Sequence, residues 1–405
     1  MPGSRVLSLV LLVTALSLAV PGPASAAAAF PRIDASGFQL VQGTTFATYG
    51  DRVAHLESGH PQLAAHPLTD VLASVNYPTR ALCHDTYLNA SLSPAGFCWQ
   101  SGADDTDNTW IPQGLTGSDD STAPGVGGRR VVAVDWHYGT PPNGTDVDAN
   151  KYVRVSFVDT SNGTYRHALL VEPTSDDDFA AVASHGDGLV WSGHRLFLVS
   201  STVIRVFDLN HFWAMDASSA TVGLGTDGRY HARYHAWALP MVGSYWYAGG
   251  GCAVQTGVKP CFSSVALDHS DGSLVSVEYV AGQSGGRVVR WPVDASTGLL
   301  ATDGVGDVHA TEAFSSPVWA MQGATAYGGY FVIAGTCPEF AGQAGDHPSC
   351  LHGGVGGVST SSLTEAPVNT QNLAYWPDTG ALWLVNEQLR ERVVVHVPWH
   401  TLTGR

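Results

Sequence analysis

Internal repetition narrows the fold of this chain more than any other feature. The segment SHGDGLVWSGHRLFLVSSTVIRVFDL from Ser184 and the segment TQNLAYWPDTGALWLVNEQLRERVVVHV from Thr370 share one grammar. Each runs polar cluster, apolar strand, glycine-containing turn, second strand, short connection, third strand. AMQGATAYGGYFVIAGT from Ala320 repeats the first half, and PQGLTGSDDSTAPGVGGRRVVAVDW from Pro112 repeats it with an enlarged turn. A fifth copy is read from Ala238-Leu239-Pro240 onward, through Val265 to Asp268, Leu274 to Tyr279 and Val288 to Asp294. A unit of three or four strands cannot bury both faces alone, whereas copies set side by side can, and buried strands of that kind read as near-continuous apolar runs.

The starts near Gly114, Gly188, Pro240, Gly323 and Leu373 lie 50 to 83 residues apart. Three or four strands at such periods predict an all-β fold, a β-propeller. Five blades are expected; six or seven stay open, because Cys83 to Trp99 has room for a degenerate one. Gly 46 and Pro 22 suit many short strands joined by turns, and no helix-length amphipathic run follows Trp110. Before that point the chain is mixed. Phe38 to Tyr49 reads as a strand or two, expected to complete the last unit and close the ring, while Gln62 to Val75 has helix-like spacing. Residues 27–405 are therefore expected to form one propeller domain, with a partly helical closing segment over 30–109 and the repeated blades over 110–405.

Residues 1–26 have the form of a secretory signal: Arg5, then the apolar stretch Val6 to Val20, then Ala24-Ser25-Ala26 as an A-x-A cleavage site. The six cysteines fall into three near pairs, Cys83 with Cys98, Cys252 with Cys261 and Cys337 with Cys350. Closing a short loop costs the least chain entropy, no C-x-x-C spacing points to a metal, and export favours oxidation, so three local disulfides are expected. The formal charge of -16, with lysine only at Lys151 and Lys259, makes nucleic acid and anionic membrane poor partners. The expectation is a secreted, extracellular monomer.

The motifs QGLT, DGLVW and QNLAYW before a strand, and WPVDASTG after an outer strand, resemble poorly characterised secreted bacterial β-propeller proteins. More remotely they are similar to propellers of the gluconolactonase and strictosidine-synthase type. The resemblance spans roughly residues 110 to 400, and it implies that a polar residue just before each innermost strand points into the axial channel. Aligned repeats put Gln113, Asp187, Gln322 and Asn372 at that point, with Met241 in the Pro240 unit. Such side chains either bond one another and stitch the ring or form a funnel for a ligand. The gluconolactonase type uses carboxylate and amide oxygens for a divalent cation. Here Asp187 is the only carboxylate at the ring, so calcium is not supported and no cofactor is expected. The acidic run Asp146, Asp148, Asn150 begins like a calcium loop and then fails, with Lys151 at the turn-glycine position.

His185 is the acid–base candidate, since an unperturbed imidazole titrates near neutrality and Asp187 is placed to orient it. His167 is a weaker second. Trp110, Trp191, Trp319 and Trp376 lie close to the ring positions, either packed between blades or presenting faces to a ligand. Amides, one carboxylate and aromatic faces suit a polar small molecule or a neutral glycan. Two functions stay open. One is a carbohydrate hydrolase or lyase working in the funnel through His185 and Asp187, with Gln113, Trp191, Trp319, Gln322 and Asn372 holding the ligand. A hydrolase needs a second carboxyl group, for which Glu312 or Glu387 is available away from the ring, and a lyase needs a cation, for which Arg166 or Arg233 could reach in. The other is a non-catalytic lectin-like or protein-recognition module.

Overall fold

The computed structural model describes residues 27–74, 76–102, 104–121, 125–139 and 149–405. The secretory-signal reading over 1–26 and the acidic positions Asp146 and Asp148 lie outside the described residues. The protein is a β-propeller with a small helical segment.

Among the described residues, strands pair into five antiparallel meanders. The first runs Trp110–Gly117, Val131–Tyr138, Val153–Asp159, Thr164–Pro173. The second runs Gly188–Ser192, Arg195–Ser200, Val203–Asp208 and then, after an insertion, Trp237–Trp246. The third runs Ser264–Asp268, Ser273–Val277, Arg287–Asp294, Glu312–Ser315. Gly323–Tyr327, Tyr330–Thr336, Ser349–Val355 and Ser359–Ala366 make the fourth. Thr370–Trp376, Ala381–Asn386 and Val393–Pro398 make the fifth, which Ala95–Cys98 completes.

The first strand of each meander lies innermost, and these five strands pack on one another around a common axis. Close approach there requires glycine: a Cβ on Gly188 would sit 2.6 Å from Val265 N. Middle strands are buried on both faces where each face meets a neighbouring sheet. Val131–Tyr138 and Val153–Asp159 are buried at every residue, as expected of a sheet covered on both sides.

Two expectations are corrected. The Pro240 segment does not open a unit. Trp237–Trp246 is the outer strand of the second meander, antiparallel to Val203–Asp208, and it also runs parallel to the first meander's outer strand, Leu169 to Val171 against Ala238 to Pro240. Met241 is therefore a core residue between sheets rather than an axial one, and the third innermost strand begins at Ser264. A long apolar run looks the same on the inner and outer edge of a blade, which is why the pattern misled.

The closing strand is the second correction. Phe38 to Tyr49 does not complete the last unit. Gln39–Val41 pairs with Asp307–His309 and Trp246, and Thr45–Gly59 is a helix, whose Phe46, Tyr49, Val53 and Leu56 fall on one face. Phe46 presses on Gly243 of the Trp237–Trp246 strand. The ring closes instead through Ala95–Cys98, where Gly96, at φ 156°, lies against the Val394 carbonyl too tightly for any side chain. Within the helix-like stretch, Pro61–Leu63 is a 3-10 turn and Leu68–Ala73 a short helix.

All three expected disulfides are formed: Cys83–Cys98, Cys252–Cys261 and Cys337–Cys350. They fit an extracellular protein. No helix among the described residues is long and apolar enough to cross a membrane.

Candidate functional site

Residues at the entries of the first two innermost strands meet charged and polar partners at one end of the axis. Asp187 sits where the chain enters Gly188–Ser192, with its N–H donated to Val199 O at 2.9 Å. Two residues earlier, His185 places Nδ1 2.9 Å from Asp187 Oδ1. The two side chains meet through a turn and not through extended pleating. Gly186 between them has φ 69°, and a Cβ there would sit 2.6 Å from Asp135 Oδ2, so glycine is demanded both by the backbone angle and by the neighbour.

Asp135 and His137 come from Val131–Tyr138, two apart and so on one face of the strand. Asp135 is fully buried; Oδ1 accepts from Gly114 N, while Oδ2 meets no donor among the described residues. Burial drives its pKa well above the usual carboxylate range, and the charge of Asp187 adds to that, so the protonated carboxyl is favoured. The His137 ring stacks on His185 with centroids 4.1 Å apart. Burial and the neighbouring His185 push His137 down to about 3, leaving it neutral. His185 moves the other way. Burial opposes its charge, but the Asp187 carboxylate and the more distant charge of Glu387 outweigh it and raise the pKa.

Glu387 completes the cluster from the fifth meander, one residue past Ala381–Asn386. Its N–H bonds Asn369 O at 3.2 Å, and its carboxylate accepts from Gln113 Nε2. Burial raises its pKa, opposed by the Gln113 bond and by the charges of His185 and Arg392. Thus Gln113, His185 and Asp187 are joined by Asp135, His137 and Glu387, which the sequence reading did not place there. The signal for two of them was present: VVAVDWHY interrupts an apolar strand with an acid and a histidine on the same face. Glu387, expected only as a second carboxyl group away from the ring, is at the cluster instead, because its position depends on how the fifth sheet docks. Glu312 is elsewhere, paired with Arg32 and Arg290 on an outer strand.

The other expected residues separate. Asn372 is completely buried and spans the axis: Nδ2 donates to Leu115 O at 2.7 Å and Leu189 O at 3.4 Å, while Oδ1 accepts from Ser264 Oγ. One side chain thereby ties the first, second, third and fifth meanders together. Trp191 is packed between the first two meanders, with Nε1 donating to Gly193 O at 2.7 Å. Trp319 and Gln322 line a cavity of about 380 Å³ together with Tyr279, Gln343, His347 and Asn369. The disulfide Cys337–Cys350 pins the loop that roofs it. Trp110 packs under Arg154, whose guanidinium carbon lies 4.5 Å from the ring centre, and Trp376 is buried against Gly117.

Arg166, Arg233 and His167 do not reach the ring; they line a different cavity at the start of the first meander. Among the described residues the one grouping compact enough to hold a metal is Cys83, His84 and Cys98, and both of its sulfurs belong to a disulfide.

No protein-family model matches the chain, and no curated protein matches it. Among solved structures it is similar to a gluconolactonase of Xanthomonas campestris, at 10% identity over 79% of this chain and 97% of that one, TM-score 0.36. It is also similar to a luciferin-regenerating enzyme, at 11% identity over 73% and 93%, TM-score 0.34. A third likeness is to the β-propeller domain of a Myceliophteria thermophila protein, at 11% identity over 71% and 83%, TM-score 0.31.

Proposed function

We propose that this is an extracellular propeller whose axial mouth binds a polar, hydroxyl-rich ligand of the glycan class, and that His185 moves a proton there. The observation that carries the reading is the His185–Asp187 pair at 2.9 Å, set against the buried carboxyl group of Asp135 and the half-buried one of Glu387. In this reading Asp187 orients the ring and favours its charged form, and His185 acts as the general acid or base. Glu387, partly exposed and held by Gln113 Nε2, offers its carboxyl group to ligand hydroxyls, while the fully buried Asp135 contributes only to the field around the pair. The neighbouring cavity, with the indole of Trp319 and the amides of Gln322, Gln343 and Asn369, offers the mix of ring face and hydrogen-bonding groups that a sugar takes. All of the proposed chemistry uses groups of this chain.

A second reading, a recognition module without catalysis, is favoured by Asn372, whose polar atoms are satisfied within the protein. A glycan array run beside reducing-sugar and unsaturated-product assays separates the two. Under the catalytic reading the wild type yields product from a glycan it binds. His185→Gln then lowers turnover by about 10²-fold or more, the size of a general acid–base contribution, while binding persists. Binding without product supports recognition alone. If no glycan binds, or if His185→Gln turns over unchanged, the catalytic proposal fails.

A further inference from the structure

The cavity holding Arg166 and Arg233 has a chemistry opposite to that of the chain as a whole. It measures about 430 Å³, and its lining contains three arginines and no Asp or Glu, in a protein of formal charge -16. Arg154 is neutralised by the buried carboxylate of Asp104. Neither Arg166 nor Arg233 has a carboxylate partner among the described residues, whereas eleven other described arginines pair with acids or are spent on carbonyls. Two unmatched guanidinium groups facing one cavity leave a local positive field that an anion would satisfy.

Arg233 is also held in place. Its guanidinium carbon lies 4.5 Å from the ring centre of Tyr138 and 4.1 Å from that of Tyr152, a geometry that favours a cation and fixes the side chain. The backbone beneath it is strained: Arg233 and Tyr234 are consecutive non-glycine residues at φ 47° and 63°. Left-handed residues with a Cβ are disfavoured and persist where surrounding bonds over-determine them. Here Arg233 N–H is tied to Thr221 O and Tyr234 N–H to Ser219 O, both at 2.9 Å. The segment belongs to the insertion between the third and fourth strands of the second meander, so an added loop carries the arginine to the first meander.

Two further features describe what the anion is attached to. Tyr234 stands at the rim, 63% exposed, with a ring face open to a ligand. His235 donates Nδ1–H to the carbonyls of Ala232 and Arg233, at 2.9 and 2.8 Å. With burial and Arg154 pushing its pKa down to about 3, the ring stays neutral and Nε2 is an acceptor for a hydroxyl. We propose that this cavity is a binding site for a uronic acid, with the carboxylate on Arg166 and Arg233, the ring against Tyr234 and a hydroxyl on His235 Nε2. The site is independent of what the axial mouth binds.

Isothermal titration of the whole protein with D-glucuronate, D-glucose, benzoate and inorganic phosphate tests it. Glucuronate binds and glucose does not. Benzoate and phosphate bind more weakly, because each lacks either the hydroxyls or the planar carboxylate. Arg166→Ala and Arg233→Met each weaken glucuronate binding by about tenfold or more, the loss expected from one charge-assisted contact. Arg32→Ala, which removes an exposed charge paired with Glu312 and outside the cavity lining, leaves it unchanged. Equal binding of glucose and glucuronate, tighter binding of phosphate or benzoate, unaltered affinity in both cavity variants, or no heat with glucuronate would each overturn the assignment. None of these outcomes touches His185 or the axial mouth.

Discussion

His352 offers a clean test of how burial sets a titration in this fold. It lies on Ser349–Val355 in the fourth meander, 6% exposed, with Nε2–H donated to Thr336 O at 3.1 Å. Burial pushes its pKa down to about 4, only partly offset by that hydrogen bond and by the charge of Glu339. In the unfolded chain a histidine titrates near 6.5. Between those values the unfolded state holds a proton that the folded state does not, so stability falls as pH falls from about 7 toward 4 and levels off below. Because the folded pKa lies below 5, the loss between pH 7 and pH 5 is set mainly by the unfolded value, and amounts to about 2 kcal/mol for this one residue. His352→Gln keeps an N–H donor for Thr336 and removes the titration. Urea unfolding of both proteins at pH 7 and pH 5, disulfides intact, reads the difference. The wild type loses about 2 kcal/mol more than the variant over that interval, since every other group titrates in both. Equal losses, or a smaller loss in the wild type, would refute the reasoning.

Two other perturbations probe what holds the ring. Asn372→Ala strands Leu115 O, Leu189 O and the Ser264 hydroxyl in a dry interior, and is expected to cost about 2–4 kcal/mol in the same urea experiment; a change below 0.5 kcal/mol would show that the sheets hold together without it. Replacing Cys337 and Cys350 by serine opens a loop of sequence separation 13 and lowers stability by about 3 kcal/mol on the chain-entropy model, with detection of free thiols in the native wild type as the contrary result.

Repetition made the fold legible because each sheet repeats the same burial problem. Apolar strand, glycine turn and apolar strand recur wherever an innermost strand must pass close to its neighbour, as at Gly188. The same uniformity hid which edge of a blade a strand occupies. Trp237–Trp246 is as apolar as any innermost strand, and only its pairing with Val203–Asp208 on one side and Thr164–Pro173 on the other identifies it. The closing strand was obscure for another reason. Ala95–Cys98 is four residues long, too short for a period to register, and its place is set by main-chain bonds to Val393 through His396, which side-chain pattern does not encode.

At the site, what could be read was what the repeat itself carries. Gln113 and Asp187 hold equivalent places in equivalent units, but Gln322 and Asn372 at the same aligned places lead into a separate cavity and into the core, and His185 meets Asp187 through the Gly186 turn and not by strand spacing. Residues that depend on how one sheet docks against another left no such trace. Glu387 meets Gln113 across 274 residues of sequence, and Arg233 reaches the first meander from an insertion in the second. The insertion is the instructive case. It breaks the repeat, so by the logic of repetition it is noise, yet it bears the two consecutive strained residues and one of the two unmatched cations of the cavity. Departures from a repeated scaffold cost stability without improving the shared core, and at Arg233 and Tyr234 that cost is fixed by named backbone bonds. In a propeller whose sheets solve one packing problem many times over, ligand chemistry is best sought where a unit fails to repeat.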